Sequence, residues 1–254
     1  MQPVKISVIV CTWNSARYLQ CTLDSIAGQS YKNFEVIFVD GGSMDETLRI
    51  IENSRFEKRI LNNIRGGIAR AMNAGIELAS GGGIFHLHSD DYIVHGDVFE
   101  TVCREFAETG AKWIFGRIVN RRERALYSET YVAPKHSYEA LLKANYIPHA
   151  ATFVQKHVFQ ELGYFDENLR FAMDYDMWLR ISSRYQPRQL SEIFSVFRRH
   201  PGSTTEGNRL ASFSEDYTVR RKHIGRSPIR QLEHYLRYIL RRRRLLKLVR
   251  VPAN

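Results

Sequence analysis

The chain has 254 residues and carries 37 Lys and Arg against 27 Asp and Glu, a formal net charge of +10. Its 44% hydrophobic and 25% charged content is that of a globular protein and excludes disorder along the whole chain. Three scattered cysteines, Cys11, Cys21 and Cys103, exclude a disulfide framework and a zinc site and fit a reducing compartment.

No run of about 18 uninterrupted apolar residues is present, so no membrane-spanning helix is expected. Residues 1–10 lead directly into strand-like sequence without the layout of a secretion signal. The charge is unevenly placed. Residues 217–254 hold twelve basic side chains and one acid, Glu233, whereas the remainder holds 25 basic and 26 acidic groups. The body is close to neutral and the tail is a polycation.

Lys5 to Cys11 and Glu35 to Val39 are β-branched, apolar runs that end on polar turns, the pattern of doubly buried parallel strands. Between them Leu19, Leu23 and Ile26 recur at helical spacing, with Asn14 or Ser15 as the N-cap. Ser43 and Glu46 have capping-box spacing and open a helix to about Asn53. A short strand at Ile60-Leu61 precedes a helix whose face is Ile68, Met72, Ile76 and Ala79. The turn Gly81-Gly82-Gly83 leads into a strand over Ile84–His88 that ends at Ser89-Asp90-Asp91. This alternation predicts a right-handed, mostly parallel α/β sheet flanked by helices, with ligands bound beyond the carboxyl ends of the strands.

A helix near Phe99–Ala107 follows, then strands near Trp113–Val119 and Tyr127–Val132, and short helices at Tyr138–Lys143 and Lys156–Leu162. Asp174–Tyr185 is predicted helical and Gln189–Phe197 a strand. From Pro228 an Arg-rich helix carries a broken apolar stripe of Ile229, Leu232, Leu236, Ile239 and Leu246. The expected division is a main domain over 1–207, with a first part over 1–110 and a second over 111–207. A basic helical extension follows over 208–254.

Three polar clusters fall at predicted strand ends: Thr12-Trp13-Asn14, Asp40 to Asp45, and Ser89-Asp90-Asp91. Adjacent carboxylates such as Asp90 and Asp91 suit a hard divalent cation with room left for phosphate and water, or a simple turn. Asp40-Gly41-Gly42-Ser43 allows close backbone approach to a ligand and offers an acceptor to a ribose or base; a tight turn explains it equally. Trp13 is a stacking platform for a nucleobase or a rim aromatic. Asp174 opens a helix whose Met177, Trp178 and Ile181 form an apolar face, so its carboxylate is either a helix-start acid or a fixed general base. His200 stands in a turn after a strand, as a surface residue or a metal or phosphate ligand. Neither the P-loop nor the Gly-x-Gly-x-x-Gly pattern is present.

Taken in order, these segments resemble family 2 glycosyltransferases with the GT-A fold. The carrying stretches are Ser7 to Asn14, Val39 to Thr47, Gly66 to Ile76, Ser89-Asp90-Asp91, Gly163 to Glu167, Asp174 to Arg180, and Arg199 to Ser203. The resemblance implies an inverting enzyme that moves a sugar from a UDP-, GDP- or dTDP-linked donor to an acceptor hydroxyl. The implied setting is bacterial cell-surface polysaccharide, lipopolysaccharide or glycolipid synthesis. It implies nucleotide contacts at Thr12, Trp13, Asn14, Asp40, Arg65 and Asp90, with Asp91 the direct ligand of Mn²⁺ or Mg²⁺, His200 beside the metal, and Asp174 the catalytic base. Many relatives carry two acids where this chain has Asp40-Gly41, which leaves the base open. Tyr146, His149 and Tyr164 are candidates to line the saccharide or lipid-linked acceptor.

Two competing readings are a catalytically inactive nucleotide-sugar-binding module and a nucleotidyltransferase. The latter usually has a Gly-rich, Arg-containing loop where this chain has Thr12 to Ser15. Nucleic acid is not an expected partner, because the body is near neutral. The basic tail is expected to lie on an anionic membrane surface or to be a solvated helix, which puts the enzyme in the cytoplasm, peripheral on the inner face of the membrane.

Overall fold

The computed structural model describes residues 4–122, 128–200 and 207–249. Tyr127, expected to open a strand, and Pro201-Gly202-Ser203 of the His200 turn lie outside the described residues.

The first half of the chain folds as its periodicity predicts. Strands β1 (Ile6–Thr12), β2 (Phe34–Asp40), β3 (Lys58–Leu61) and β4 (Gly83–His86) are mutually parallel. Helices α1 (Ala16–Ala27), α2 (Thr47–Glu52) and α3 (Ile68–Leu78) connect them. Alternate residues of β1 serve opposite cores: Ile9 joins the cluster under α3, and Val8 and Val10 join the one under α1. Gly75 is required where α3 meets β1, since a Cβ there would lie 2.4 Å from Ile9 Cγ2.

The second half is mixed. It comprises β5 (Tyr92–Ile93), α4 (Val98–Thr109), β6 (Trp113–Arg122), β7 (Ser128–Tyr131), α5 (Tyr138–Leu141), β8 (Thr152–Gln155), α6 (Lys156–Leu162), α7 (Met173–Ser182) and β9 (Arg188–Arg199). Sheet order is β3-β2-β1-β4-β8-β6-β9-β5, with β7 on β6. The β4–β8, β8–β6, β6–β7 and β5–β9 pairs are antiparallel, so the parallel character belongs to β3-β2-β1-β4 and to the β6–β9 pair. The periodicity gives no sign of β8: four residues are too short a run to register.

Two helices close the chain within the expected helical extension, α8 (Arg209–His223) and α9 (Pro228–Val249). Val219 and Ile224 are buried in the core under α7, so the basic extension joins the main domain through α8. Helix α9 rests on α8 by aromatic stacking: Tyr217 and Tyr238 lie 4.2 Å apart at 10°, and Phe213 and Tyr238 lie 5.4 Å apart.

Buried Glu35 ties the amino ends of the strands together. Its Oε1 accepts from Ser7 Oγ (2.6 Å), Ser80 N (2.6 Å) and Ser80 Oγ (2.9 Å), and its Oε2 from Arg59, with Lys5 3.6 Å away. Burial pushes its carboxyl up, but these hydrogen bonds outweigh it and bring it down to about 2. Midway along α3, Asn73 donates to Phe165 O (2.9 Å) and accepts from Phe165 N (3.0 Å). The Ala71–Ile76 and Gly163–Glu167 segments are thus two halves of one contact.

Candidate active site

Thr12 and Asp40 end β1 and β2 in direct register, which puts both polar loops on one rim. Thr12 Oγ1 donates to Asp40 Oδ2 at 2.8 Å. The same carboxylate accepts from Gly42 N (2.8 Å), Ser43 N (2.7 Å) and Ser43 Oγ (2.6 Å). Its lone pairs are therefore committed within the loop. Burial pushes this acid up, yet hydrogen bonds from Ser43, Thr12 and Gly42 hold it below the ordinary range. Asp40 does not line the cleft; it shapes the Gly41-Gly42-Ser43 turn, where Gly42 adopts φ +95°. Ser43 serves this turn and not a helix cap, and the N-cap of α2 is Glu46 without a side-chain cap.

Neither Asn14 nor Ser15 caps α1 with its side chain. Asp45, 29 residues away, accepts from Ala16 N at 3.1 Å, and Thr47 Oγ1 accepts from Ser15 N at 2.7 Å. Asn14 adopts φ 49°, accepts from Met44 N at 2.9 Å and donates its own N–H to Ser43 Oγ at 2.8 Å. Its job is to knit the two loops. Trp13 is left 71% exposed on the rim, presenting an aromatic face.

These loops border a cleft of about 1220 Å³, ample for a nucleotide sugar. Thr12, Trp13, Asn14, Arg65, Asp90 and His200 all line it. The Arg65 guanidinium lies beside Gly42, 3.4 Å from where a Cβ would sit. Arg17, Tyr18 and His88 also line the cleft and were not among the expected residues. Arg17 and Tyr18 follow Asn14 by about one helical turn, and His88 immediately precedes Ser89-Asp90-Asp91, which is the signal that could have found them.

Also on the cleft wall, Asp90 Oδ2 lies 2.9 Å from His200 Nε2, and the His200 ring packs 4.9 Å from Tyr18. Arg198 fastens β9 to this turn, its N–H donating to Asp91 Oδ1 (2.8 Å) and its Nε to Asp90 O (2.9 Å). Asp91 stands behind the cleft wall, fully buried, with Oδ2 unpartnered. Burial and then the Asp90 charge push Asp91 well up, against the Arg198 contacts.

This donor set fits a divalent cation. Two ligands each about 2.1 Å from an ion at right angles stand about 3 Å apart, which matches the Asp90–His200 separation of 2.9 Å. The orphaned Asp91 oxygen beside a second carboxylate is a further demand for positive charge. Among the described residues no three His, Cys, Asp or Glu side chains form a cage by themselves.

Asp174 lies in the first turn of α7 and is outside the lining of that cleft. Its Oδ1 accepts from Tyr175 N at 2.6 Å and its Oδ2 from Asn145 Nδ2 at 3.4 Å. Burial pushes it up to about 6, against those two hydrogen bonds. A histidine stack spans the space between: His88 and His149 are 5.1 Å apart, His86 and His149 5.6 Å, and His149 packs 5.8 Å from Trp178 of α7. Burial first, and then mutual repulsion, lowers His86 to about 3 and His149 well below the usual value, so the stack is a neutral wall. Of the other acceptor candidates, Tyr146 is buried with its hydroxyl on His136 Nδ1 at 2.9 Å, and Tyr164 is half-buried.

The family profile described as "Glycosyl transferase family 2" matches residues 7–156, more than half of the chain. The chain belongs to glycosyltransferase family 2, and its sheet is that of GT-A enzymes. It is 31% identical over 230 residues to chondroitin synthase of Pasteurella multocida, covering 88% of this chain and 24% of that protein. The chain thus spans about a quarter of that relative's length. Its fold matches S. aureus TarS in complex with UDP-GlcNAc (TM-score 0.71, 20% identity, 91% of this chain and 69% of that one). It also matches the mannosyltransferase PcManGT from Pyrobaculum calidifontis in complex with GDP-Man and Mn²⁺ (TM-score 0.70, 16% identity, 95% and 72%).

Proposed function

We propose that this chain transfers a sugar from a nucleotide diphosphate sugar to an acceptor hydroxyl, with inversion, in the synthesis of a cell-surface polysaccharide or glycolipid. The observation that carries this reading is one cleft, at the carboxyl ends of the strands, lined by an exposed tryptophan and by the Asp90–His200 pair. The Trp13 ring stacks on the base, Thr12 and Asn14 shape the nucleoside rim, and Arg65 donates to the phosphates. Asp90, Asp91 and His200 would hold Mn²⁺ or Mg²⁺, which would supply positive charge to the departing diphosphate.

In-line displacement requires attack from the sugar face opposite the leaving group, through an oxocarbenium-like transition state, by analogy with glycoside hydrolysis. Asp174 accepts the acceptor's hydroxyl proton as the new glycosidic bond forms and the sugar–phosphate bond breaks. An acid held near 6 is ionised at neutral pH yet basic enough to take that proton.

The acceptor is lipid-linked or presented near a membrane, and α9 is the attachment. Ile229, Leu232, Leu236 and Leu240 are exposed along α9, Ile229 to 80%, while Arg241 to Arg244 follow in the same helix. No helix among the described residues is long and apolar enough to cross a membrane. An apolar stripe with flanking arginines suits in-plane attachment to anionic lipid at the cytoplasmic face, worth on the order of 1 kcal/mol per basic residue near the surface. Leu236→Glu should release the protein from anionic vesicles in a sedimentation assay, and unchanged binding discards the attachment.

The test of the main reading is a thermal-shift screen of UDP-, GDP- and dTDP-sugars with Mn²⁺, followed by hydrolysis assays on the hits. At least one donor should raise the melting temperature in a Mn²⁺-dependent way and be turned over, with EDTA stopping turnover. Absence of any donor effect contradicts the reading. Binding without turnover in the presence of acceptors favours the inactive module.

A further inference from the structure

The base proposed above sits in the first turn of α7, and that turn is held from outside its own helix. Ala172, the N-cap residue of α7, has no side chain that could cap it, and the N–H groups of residues 170–172 that lead into the helix find an acceptor elsewhere. Glu215 of α8 takes them. Its Oε1 accepts from Arg170 N at 3.0 Å, and its Oε2 accepts from Phe171 N and from Ala172 N, the latter at 2.7 Å. One carboxylate fixes three consecutive peptide groups immediately before the Met173-Asp174 pair. Hydrogen bonds to an ionised acceptor are the stronger kind, and a forked arrangement sets direction as well as distance.

Helix α8 is anchored where it does this. Val219 and Ile224 are buried in the core. Buried Arg220 donates from Nε to the Tyr175 hydroxyl at 3.3 Å, which in turn donates to Leu141 O at 2.6 Å. His223 Nε2 lies 3.5 Å from Asp176 Oδ1. The two residues that follow Asp174 are therefore also held by α8. At the opposite end of α7, Arg180 donates to Leu162 O (2.8 Å), Gly163 O (2.9 Å) and Tyr164 O (2.8 Å), so the helix is pinned at both ends.

We propose that Glu215 is a positioning residue for the transfer reaction: by fixing the backbone of residues 170–172 it aims the Asp174 carboxylate at the acceptor hydroxyl. This rests on the reading of Asp174 as the base. Glu215 is nowhere in the resemblance that suggested Asp174, and it belongs to the segment that composition alone marks as a basic tail.

The experiment compares wild type, Asp174→Asn, Glu215→Ala and the double variant, measuring kcat, donor KM and donor binding stoichiometry by calorimetry. Glu215→Ala should bind one donor per chain with unchanged affinity while kcat falls about 10–100-fold, the scale of an approximately 1 Å misplacement. The double variant should be no slower than Asp174→Asn, because Glu215 acts through Asp174. Should Glu215→Ala not fold, Glu215→Gln, which keeps the reach and one acceptor oxygen, carries the same cycle with a smaller loss. Folded variants that turn over within about two-fold of wild type overturn the proposal, as do losses that add in the double variant. Donor binding that falls in step with kcat overturns it too, since that is the mark of simple unfolding. Near-normal turnover by Asp174→Asn overturns the base and the role of Glu215 together, whereas an inactive Asp174→Asn beside an unimpaired Glu215→Ala overturns the positioning role alone.

Discussion

The rim formed by the ends of β1 and β2 and the first turn of α7 both hold acids out of water, and they treat them in opposite ways. Asp40 is fully buried but receives four hydrogen bonds, and its carboxyl is held below the ordinary range. Asp174 has the Tyr175 amide and a long contact from Asn145, and burial drives it up to about 6. Nearby Asp216 is driven further, to about 7, by burial and then by the Asp174 charge. A carboxylate whose lone pairs are all engaged is a structural anchor; one left short of donors keeps an affinity for protons. By that criterion the rim is built to hold a shape, and the α7 turn keeps the acid that suits the proposed role of proton acceptor.

The sharpest way to break this contrast is Asp174→Asn. Turnover should fall about 10²–10⁴-fold, the range for loss of a general base, with donor affinity unchanged in calorimetry. The same variant should melt higher than wild type above pH 6. A carboxyl whose folded pKa is raised from 3.8 to about 6 opposes folding once ionised, by up to about 3 kcal/mol, and that opposition is absent below pH 4. A lower melting temperature at pH 8 contradicts the assignment of strain to this site.

Glu35→Gln probes the anchoring kind of acid. Its folded pKa is depressed from 4.5 to about 2, so its contribution of about 3 kcal/mol is present above pH 4.5 and fades as pH falls towards 2. Chemical denaturation should show the variant destabilised by that order at pH 7 and near parity with wild type at pH 2, with kcat per folded molecule preserved. Trp13→Ala is the smallest of the three: donor KM should rise by about 10-fold, the lower part of the 1–3 kcal/mol range for base–aromatic stacking, with kcat unchanged.

The same contrast separates what the sequence discloses from what it hides. Thr12, Trp13, Arg65, Asp90 and His200 line the cleft as the motif order suggests, because each directly follows a strand or a turn and its signal is local. For Asp40 the sequence leaves a tight turn and a ligand contact both open, since nothing in Asp-Gly-Gly-Ser reveals that Thr12 across the sheet and Ser43 fill its lone pairs. The cap of α1 comes from Asp45, 29 residues on, and the clamp on residues 170–172 from Glu215, 43 to 45 residues on. Such contacts leave no periodicity to read. The net charge of +10 concealed one as well: buried Arg220, counted with the polycationic tail, is bonded to Tyr175 of α7.

The most direct test of the division between anchoring and proton-accepting acids is the pH dependence of kcat/KM at saturating Mn²⁺. Asp174 must be ionised to accept a proton, and Asn145, the Tyr175 amide and Asp216 are the groups that bear on it. The profile should be level above pH 6 and fall about ten-fold per pH unit below a break near 6. A profile that stays level down to pH 4.5 contradicts the account, because the acid that takes the proton would then be one of the anchored kind.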